Sequence, residues 1–157
     1  MPRAKLFTRW EVNTNNEAVL ARLADPDFDP WSSVLVSEPL PAAVTPAEPA
    51  PAADPVTYAA YDPRDIVLKC TAPAPAVLLL NDHYDPNWKV LVDGQRQPLL
   101  RCDYIMRGVQ LAPGAYTVEF KFQPPFGLLY VSLTGIGLAL VLLLFVLVAG
   151  RPRSAVG

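Results

Sequence analysis

The chain has 157 residues and a formal net charge of −2, with 13 basic and 15 acidic side chains, 18 prolines, two cysteines and a single histidine. Its basic residues form no run or stripe, which argues against nucleic acid as a partner. One isolated histidine gives little support to a metal centre or to a nucleophile paired with a base.

The first 28 residues place charges and amides where a secretion signal needs a continuous apolar core of about 7 to 15 residues. Ala4 to Val12 mixes apolar, aromatic and polar side chains and predicts a strand. Thr14, Asn15, Asn16 and Glu17 have capping-box spacing, and Ala18 to Leu23 then predict a short helix, stopped by the turn-rich Asp25-Pro26-Asp27-Phe28-Asp29-Pro30. Ser33 to Val36 predicts a second short strand. Residues 1–37 are thus expected to supply the first strands and the one short helix of a β-rich domain.

Residues 38–55 are dominated by proline and alanine. Proline cannot donate to a ladder and alanine buries little, so this stretch is expected to be a linker or long loop leaning toward polyproline II. Residues 56–123 carry strand signals at short intervals: Asp65 to Thr71, Ala76 to Asn81, Trp88 to Val92, Arg96 to Arg101, Tyr104 to Leu111 and Ala115 to Phe122. Turns are marked by Asp85-Pro86-Asn87, Asp93-Gly94 and Pro113-Gly114. Val118, Phe120 and Phe122 alternate with Thr117, Glu119 and Lys121, the period of a strand with one buried face. The expected fold class is mainly β: an antiparallel β-sandwich with one short N-terminal helix, followed by a single C-terminal transmembrane helix.

That helix is predicted over residues 126–150, an uncharged stretch that would be roughly 37 Å long at about 1.5 Å per residue, against a hydrocarbon core of about 30 Å. Sixteen of its residues are Leu, Ile, Val or Phe. At about −0.3 to −0.6 kcal/mol each, they favour insertion by roughly −5 to −9 kcal/mol. Pro124-Pro125 breaks the preceding strand and suits a stiff joint, because each ring fixes φ. Residues 151–157 form a short basic tail whose Arg151 and Arg153 can reach lipid phosphates, and Tyr130 suits the other interface. Gly127, Gly135 and Gly137, with Ser132 and Thr134, would let another membrane helix approach closely. The lipid bilayer is therefore an expected partner, and neighbouring membrane helices are a second.

Cys70 and Cys102 are either one disulfide of an oxidising compartment or two buried thiols. The densest polar and aromatic cluster is Asn81-Asp82-His83-Tyr84-Asp85-Pro86-Asn87-Trp88. Asp82 and Asp85 could in principle form a carboxylate pair, but no activated nucleophile or second histidine accompanies them, so no catalytic residue is assigned. Too few ligands converge for calcium or zinc, so no metal and no cofactor is expected. The plain alternative is that Asp85-Pro86-Asn87 makes a turn and Trp88 packs inward.

Tyr84, Pro86, Trp88, Lys89, Val92, Asp93 and Gly94, then Met106, Arg107, Gly108 and Val109, then Pro113, Gly114, Thr117, Val118, Glu119 and Phe120 form an ordered signature. It resembles the end of YfhO-type bacterial membrane proteins, as do PRAKLF near the start and LADPDFDP at Leu23 to Pro30. The resemblance implies an extracytoplasmic sandwich tethered to a multi-pass bundle of glycosyltransferase-C type, with the C-terminus in the cytoplasm of a bacterial cell. It further implies sugars carried on polyprenyl phosphate. The catalytic carboxylate of that fold lies between earlier membrane helices, so none is carried over and the chain is not expected to be an enzyme by itself. Glycan contacts are expected from Asp82, Tyr84, Asp85, Trp88, Asp93 and Arg107. The alternative is a stand-alone tail-anchored interaction or glycan-binding module.

Overall fold

The computed structural model describes residues 2–40 and 56–149, and the chain divides between Gln123 and Pro124 into two units. The first unit is built from two sheets. Strands β1 (Ala4–Phe7), β2 (Trp10–Val12) and β3 (Val34–Val36) precede β4 (Val56–Asp62), β5 (Asp65–Ala72), β6 (Ala76–His83), β7 (Trp88–Val92), β8 (Gln95–Gln97), β9 (Leu100–Cys102), β10 (Met106–Leu111) and β11 (Gly114–Phe122). One sheet has the order β1-β6-β10-β9-β3-β2 and the other β4-β5-β11-β7-β8. All pairings are antiparallel except β2 with β3, which is parallel.

The six-stranded sheet does not lie flat. Its opposite edges, β1 and β2, are joined only by Thr8 and Arg9, a reach of about 11 Å at most, so the sheet curls until its edges nearly meet. The single strand expected over Ala4 to Val12 is therefore two, with a break that carries the chain from one edge to the other. Phe7, Trp10, Val34, Val36, Val77, Leu79, Leu100 and Cys102 fill one buried cluster. The other face of β6 and β10 meets the second sheet: Ala76, Leu78, Leu80, Val109 and Leu111 pack with Ile66, Leu68, Cys70, Trp88, Val90, Val118 and Phe120. This makes β6 apolar on both faces, which explains why Ala76-Val77-Leu78-Leu79-Leu80 is a continuous apolar run and does not alternate. Gly108 is required here, because a Cβ on it would meet the Leu78 carbonyl oxygen at 2.7 Å and the Cys102 sulfur at 2.9 Å.

Helix α1 (Asn16–Leu23) is capped by Asn15, whose side chain accepts the Glu17 N–H at 2.8 Å. The cap is one residue later than the Thr14 capping box predicts. Val19 packs with Phe28 and Leu35, so the helix covers the side of β3 opposite to Val34 and Val36. The Asp93-Gly94 turn forms as expected, with φ of 48° and 78°, the left-handed pair of a tight hairpin. The strand expected over Arg96 to Arg101 is interrupted into β8 and β9, which lie in different sheets. β4 was not signalled, since six of its seven residues are exposed and give no burial period. The linker expected over 38–55 lies outside the described residues from 41 onward, and so does the basic tail.

The second unit contains helix α2 (Gly127–Ala149), close to the predicted 126–150, and its segment Leu129–Leu147 is long and apolar enough to cross a membrane. The Thr134 hydroxyl donates to the carbonyl oxygens of Tyr130 and Val131, so its polar group is satisfied within the helix.

Candidate functional site

The densest polar arrangement caps one end of the space between the sheets. β6 runs apolar to Leu80 and turns polar at Asn81, and by alternation Asp82 continues the inter-sheet face of Leu78 and Leu80. Arg107 is the second residue of β10 and pairs with Leu80. Its guanidinium lies 3.8 Å from the centroid of the Trp88 ring and 5.9 Å from that of Phe120, and it is 3 % exposed. Nη1 donates to the His83 carbonyl at 2.8 Å and Nη2 to Asp82 Oδ2 at 3.1 Å, whereas Nε is buried with no partner among the described residues. Burial pulls the Arg107 pKa below its ordinary value, and Asp82 acts against that pull.

Asp82 is shared. Arg3 donates to its Oδ1 at 3.1 Å and to Oδ2 at 3.3 Å, so one carboxylate joins a buried cation to an exposed one. Arg3 stacks over the Tyr61 ring at 4.2 Å from its centroid and donates to the Tyr61 hydroxyl. Tyr58 meets Tyr61 edge to face at 6.1 Å. The two rings are 41 % and 51 % exposed. Partial burial, chiefly, raises the Tyr58 hydroxyl pKa, so this phenol stays protonated at neutral pH. The outcome is a surface of two phenol rings, a guanidinium and a carboxylate, where the edge strands β1 and β4 adjoin.

Of the six residues expected to contact glycan, the structure brings Asp82, Trp88 and Arg107 together. Trp88 is 8 % exposed, with Arg107 over its face and Phe122 at 5.3 Å, so it is a core residue and offers no free face to a sugar. Arg107 is likewise buried beneath the surface it was expected to line. Tyr84 is half-buried and its backbone N–H bonds the Ile105 carbonyl at 2.7 Å. Asp85 makes the turn: its side chain accepts the Asn87 N–H at 2.7 Å and its carbonyl the Trp88 N–H at 3.0 Å. Asp93 belongs to the other end of β7, where its side chain accepts the Thr117 N–H at 2.8 Å. Asp82 is thus engaged by two arginines and Asp85 by backbone. A carboxylate pair acting as acid and base would need both side chains turned to a common substrate.

Arg3, Tyr58 and Tyr61 were not singled out by sequence. A spacing of three puts two side chains on opposite faces of a regular strand, but β4 carries a bulge between Tyr58 and Ala60 that resets the alternation. The proximity of Tyr58 and Tyr61 is visible only in the fold.

The two cysteines are free and buried, so the disulfide alternative is not realised. Cys70 lies in the inter-sheet core and Cys102 in the cluster inside the curled sheet, separate apolar environments that keep the thiols apart. Burial pushes the Cys70 thiol up to about 11 and the Cys102 thiol higher still, so both are neutral. Among the described residues no group of three or more His, Cys, Asp and Glu side chains is placed to hold a metal ion.

No protein-family model, curated protein or solved structure matches this chain.

Proposed function

We propose that the chain is the β-domain and final membrane helix of a YfhO-like envelope protein, and that it serves as an accessory module in lipid-linked sugar transfer. Its domain lies outside the cytoplasm of a bacterial cell, its C-terminus lies inside, and the catalytic membrane core is made by other helices. The exposed face of Arg3, Tyr58, Tyr61 and Asp82 is offered to glycan: phenol rings cover the C–H faces of a pyranose, and the ion pair bonds its hydroxyls.

The observation that carries this reading is the joint between the two units. The signature strands β7, β10 and β11 belong to one domain, and β11 ends at Phe122, only four residues before the apolar helix. Such a chain holds its β-domain at a bilayer surface once the helix inserts. Protease added to intact spheroplasts that express the full chain tests the arrangement. Digestion of the β-domain, with a protected fragment beginning near Pro124, is the expected result. A β-domain degraded only after lysis would place it in the cytosol and replace this reading with a tail-anchored interaction module.

A further inference from the structure

The strand directions bring one set of loops to the end of the β-domain from which the chain leaves for helix α2. There β4, β6 and β11 end and β5, β7 and β10 begin: Lys121 lies opposite Asp65, Phe122 opposite Trp88, Asp62 opposite Asp65 and Met106 opposite His83. The turn of residues 103–105, between β9 and β10, is tied to this exit by two backbone hydrogen bonds. The Tyr84 N–H donates to the Ile105 carbonyl at 2.7 Å, and the N–H of Gln123, the last residue of the domain, donates to the Asn87 carbonyl at 2.9 Å. Tyr84 and Asn87 are three residues apart, a reach of at most about 11 Å.

This turn holds an apolar side chain out of the core. Ile105 is 50 % exposed, and the two residues before it, Asp103 and Tyr104, have φ of 43° and 71°. A turn that only reverses the chain takes Gly or Asn at such angles, whereas a bulky Tyr there is strained. The conformation is fixed from three sides: Leu35 bonds Asp103 twice, the Ile105 N–H donates to the Asp103 carbonyl at 2.8 Å, and Arg101 Nε donates to the Tyr104 carbonyl. Tyr84 and Tyr104, both half-buried, are the rings beside the tip, one by hydrogen bond and one by sequence. Val12, 45 % exposed, lies at the same level of the six-stranded sheet, in the row Val12, Val36, Cys102, Met106.

Charge supplies no attraction at this end. Lys121 is met by Glu119 at 2.6 Å and Arg3 by Asp82 at 3.1 Å, while Arg64 stands between Asp62 and Asp65 in sequence. An exposed Ile flanked by tyrosines, among balanced charges, suits the boundary between lipid headgroups and acyl chains. Gln123 is four residues from the start of α2, at most about 14 Å of chain. We propose that this end of the β-domain seats on the bilayer that α2 spans, with Ile105 as the tip that enters the boundary between headgroups and acyl chains. The tip is too small to hold the chain by itself; the tether makes its contact intramolecular, at an effective concentration on the order of mM. The docking rests on the membrane insertion in the reading above and is independent of its family and its glycan.

Nitroxide labels on the full chain in phosphatidylcholine nanodiscs test this by power-saturation EPR. They go on Ile105→Cys, on His83→Cys at the same end with Ile105 intact, on Gln95→Cys at the opposite end and on Leu138→Cys in α2. The wild-type chain, whose two thiols are buried, is the labelling blank. The ratio of oxygen to nickel-chelate accessibility at 105 is expected to exceed that at 95 about threefold. Ile105→Asp, an exposed change, is expected to return the label at 83 to the ratio found at 95. Aqueous labels at both 105 and 95, with 138 in lipid, would overturn the docking and leave the span standing, whereas an aqueous label at 138 would overturn both. A label at 83 indifferent to Ile105→Asp would also overturn the docking, as would lipid contact at 105 that needs added phosphatidylglycerol. Dipolar broadening between copies labelled at 105, without lipid contact, would assign the tip to a second copy of the chain and overturn it as well.

Discussion

Asp103 shows most directly how one residue carries a conflict between fold and charge. It is 7 % exposed, it has φ of 43°, and its backbone N–H and side chain both bond Leu35, at 2.9 and 2.8 Å, tying the turn before β10 to β3. Burial raises its carboxyl from 3.8 to about 6, against the pull of the Leu35 N–H. A folded value above the unfolded one is the reverse of the usual aspartate. The fold favours the protonated form, so stability from this group is highest below about pH 4 and falls as pH rises toward 6. The displacement corresponds to about 3 kcal/mol, an upper bound on the penalty at neutral pH. Asn keeps the acceptor oxygen, tolerates positive φ and cannot ionise. Asp103→Asn is therefore expected to stabilise the domain by about 1–3 kcal/mol at pH 8 and to change little at pH 4. Urea unfolding of the full chain, followed by tryptophan fluorescence at the two pH values, measures this. Equal gains at both pH values would show that ionisation is not the cause.

Strand β4 illustrates at the scale of an element why exposed function and buried core respond oppositely to substitution. Tyr58 and Tyr61 stand on an edge strand, so replacing either with Ala is expected to cost only about 0.5–1 kcal/mol, chiefly the lost stacking with Arg3 and the neighbouring ring. Trp88→Ala removes a ring that supports Arg107 and Phe122 and is expected to cost about 3–5 kcal/mol. If the β4 face contacts glycan, Tyr61→Ala lowers sugar binding with the melting temperature nearly unchanged, whereas Trp88→Ala lowers both together. Parallel thermal melts and sugar titrations of the two variants separate these outcomes. The same contrast explains what sequence could disclose. β11 was legible because Val118 and Phe120 face the core while Thr117, Glu119 and Lys121 do not. Asp93-Gly94 was legible because a hairpin with two positive φ angles asks for those residue types. β4 has no buried face to write a period, the bulge at Ala59 hides the pairing of its tyrosines, and Arg3 reaches Asp82 across 79 positions. Contacts of that kind arise from topology, and no local pattern encodes them.

The whole molecule joins two units whose surfaces ask for different solvents. The β-domain gathers its apolar core into three buried clusters, with Val12, Leu20, Trp31 and Ile105 among the few large apolar side chains left exposed. Helix α2 is apolar on every side, and its large side chains from Leu129 to Leu147 are each more than half exposed. A helix that is hydrophobic all round is stable in a protein core or in a bilayer, and none of its spanning window is buried in protein. Insertion then rests on the sixteen Leu, Ile, Val and Phe residues of the stretch 126–150, worth roughly −5 to −9 kcal/mol together. An Arg near the helix centre costs about 2.5–3.5 kcal/mol and also forfeits the contribution of the Leu it replaces, so two such changes remove roughly 6–8 kcal/mol. Leu138→Arg alone is expected to leave the chain in the membrane fraction after alkaline extraction, with its side chain drawn toward an interface. Leu138→Arg with Leu142→Arg brings the balance near zero and is expected to release a large share of the chain to the supernatant. The β-domain contributes nothing to that balance, so its melting profile should be the same in the released and retained material. A wild-type chain recovered in the supernatant without detergent would remove the bilayer from the account, because the same exposed helix would then have to be covered by protein.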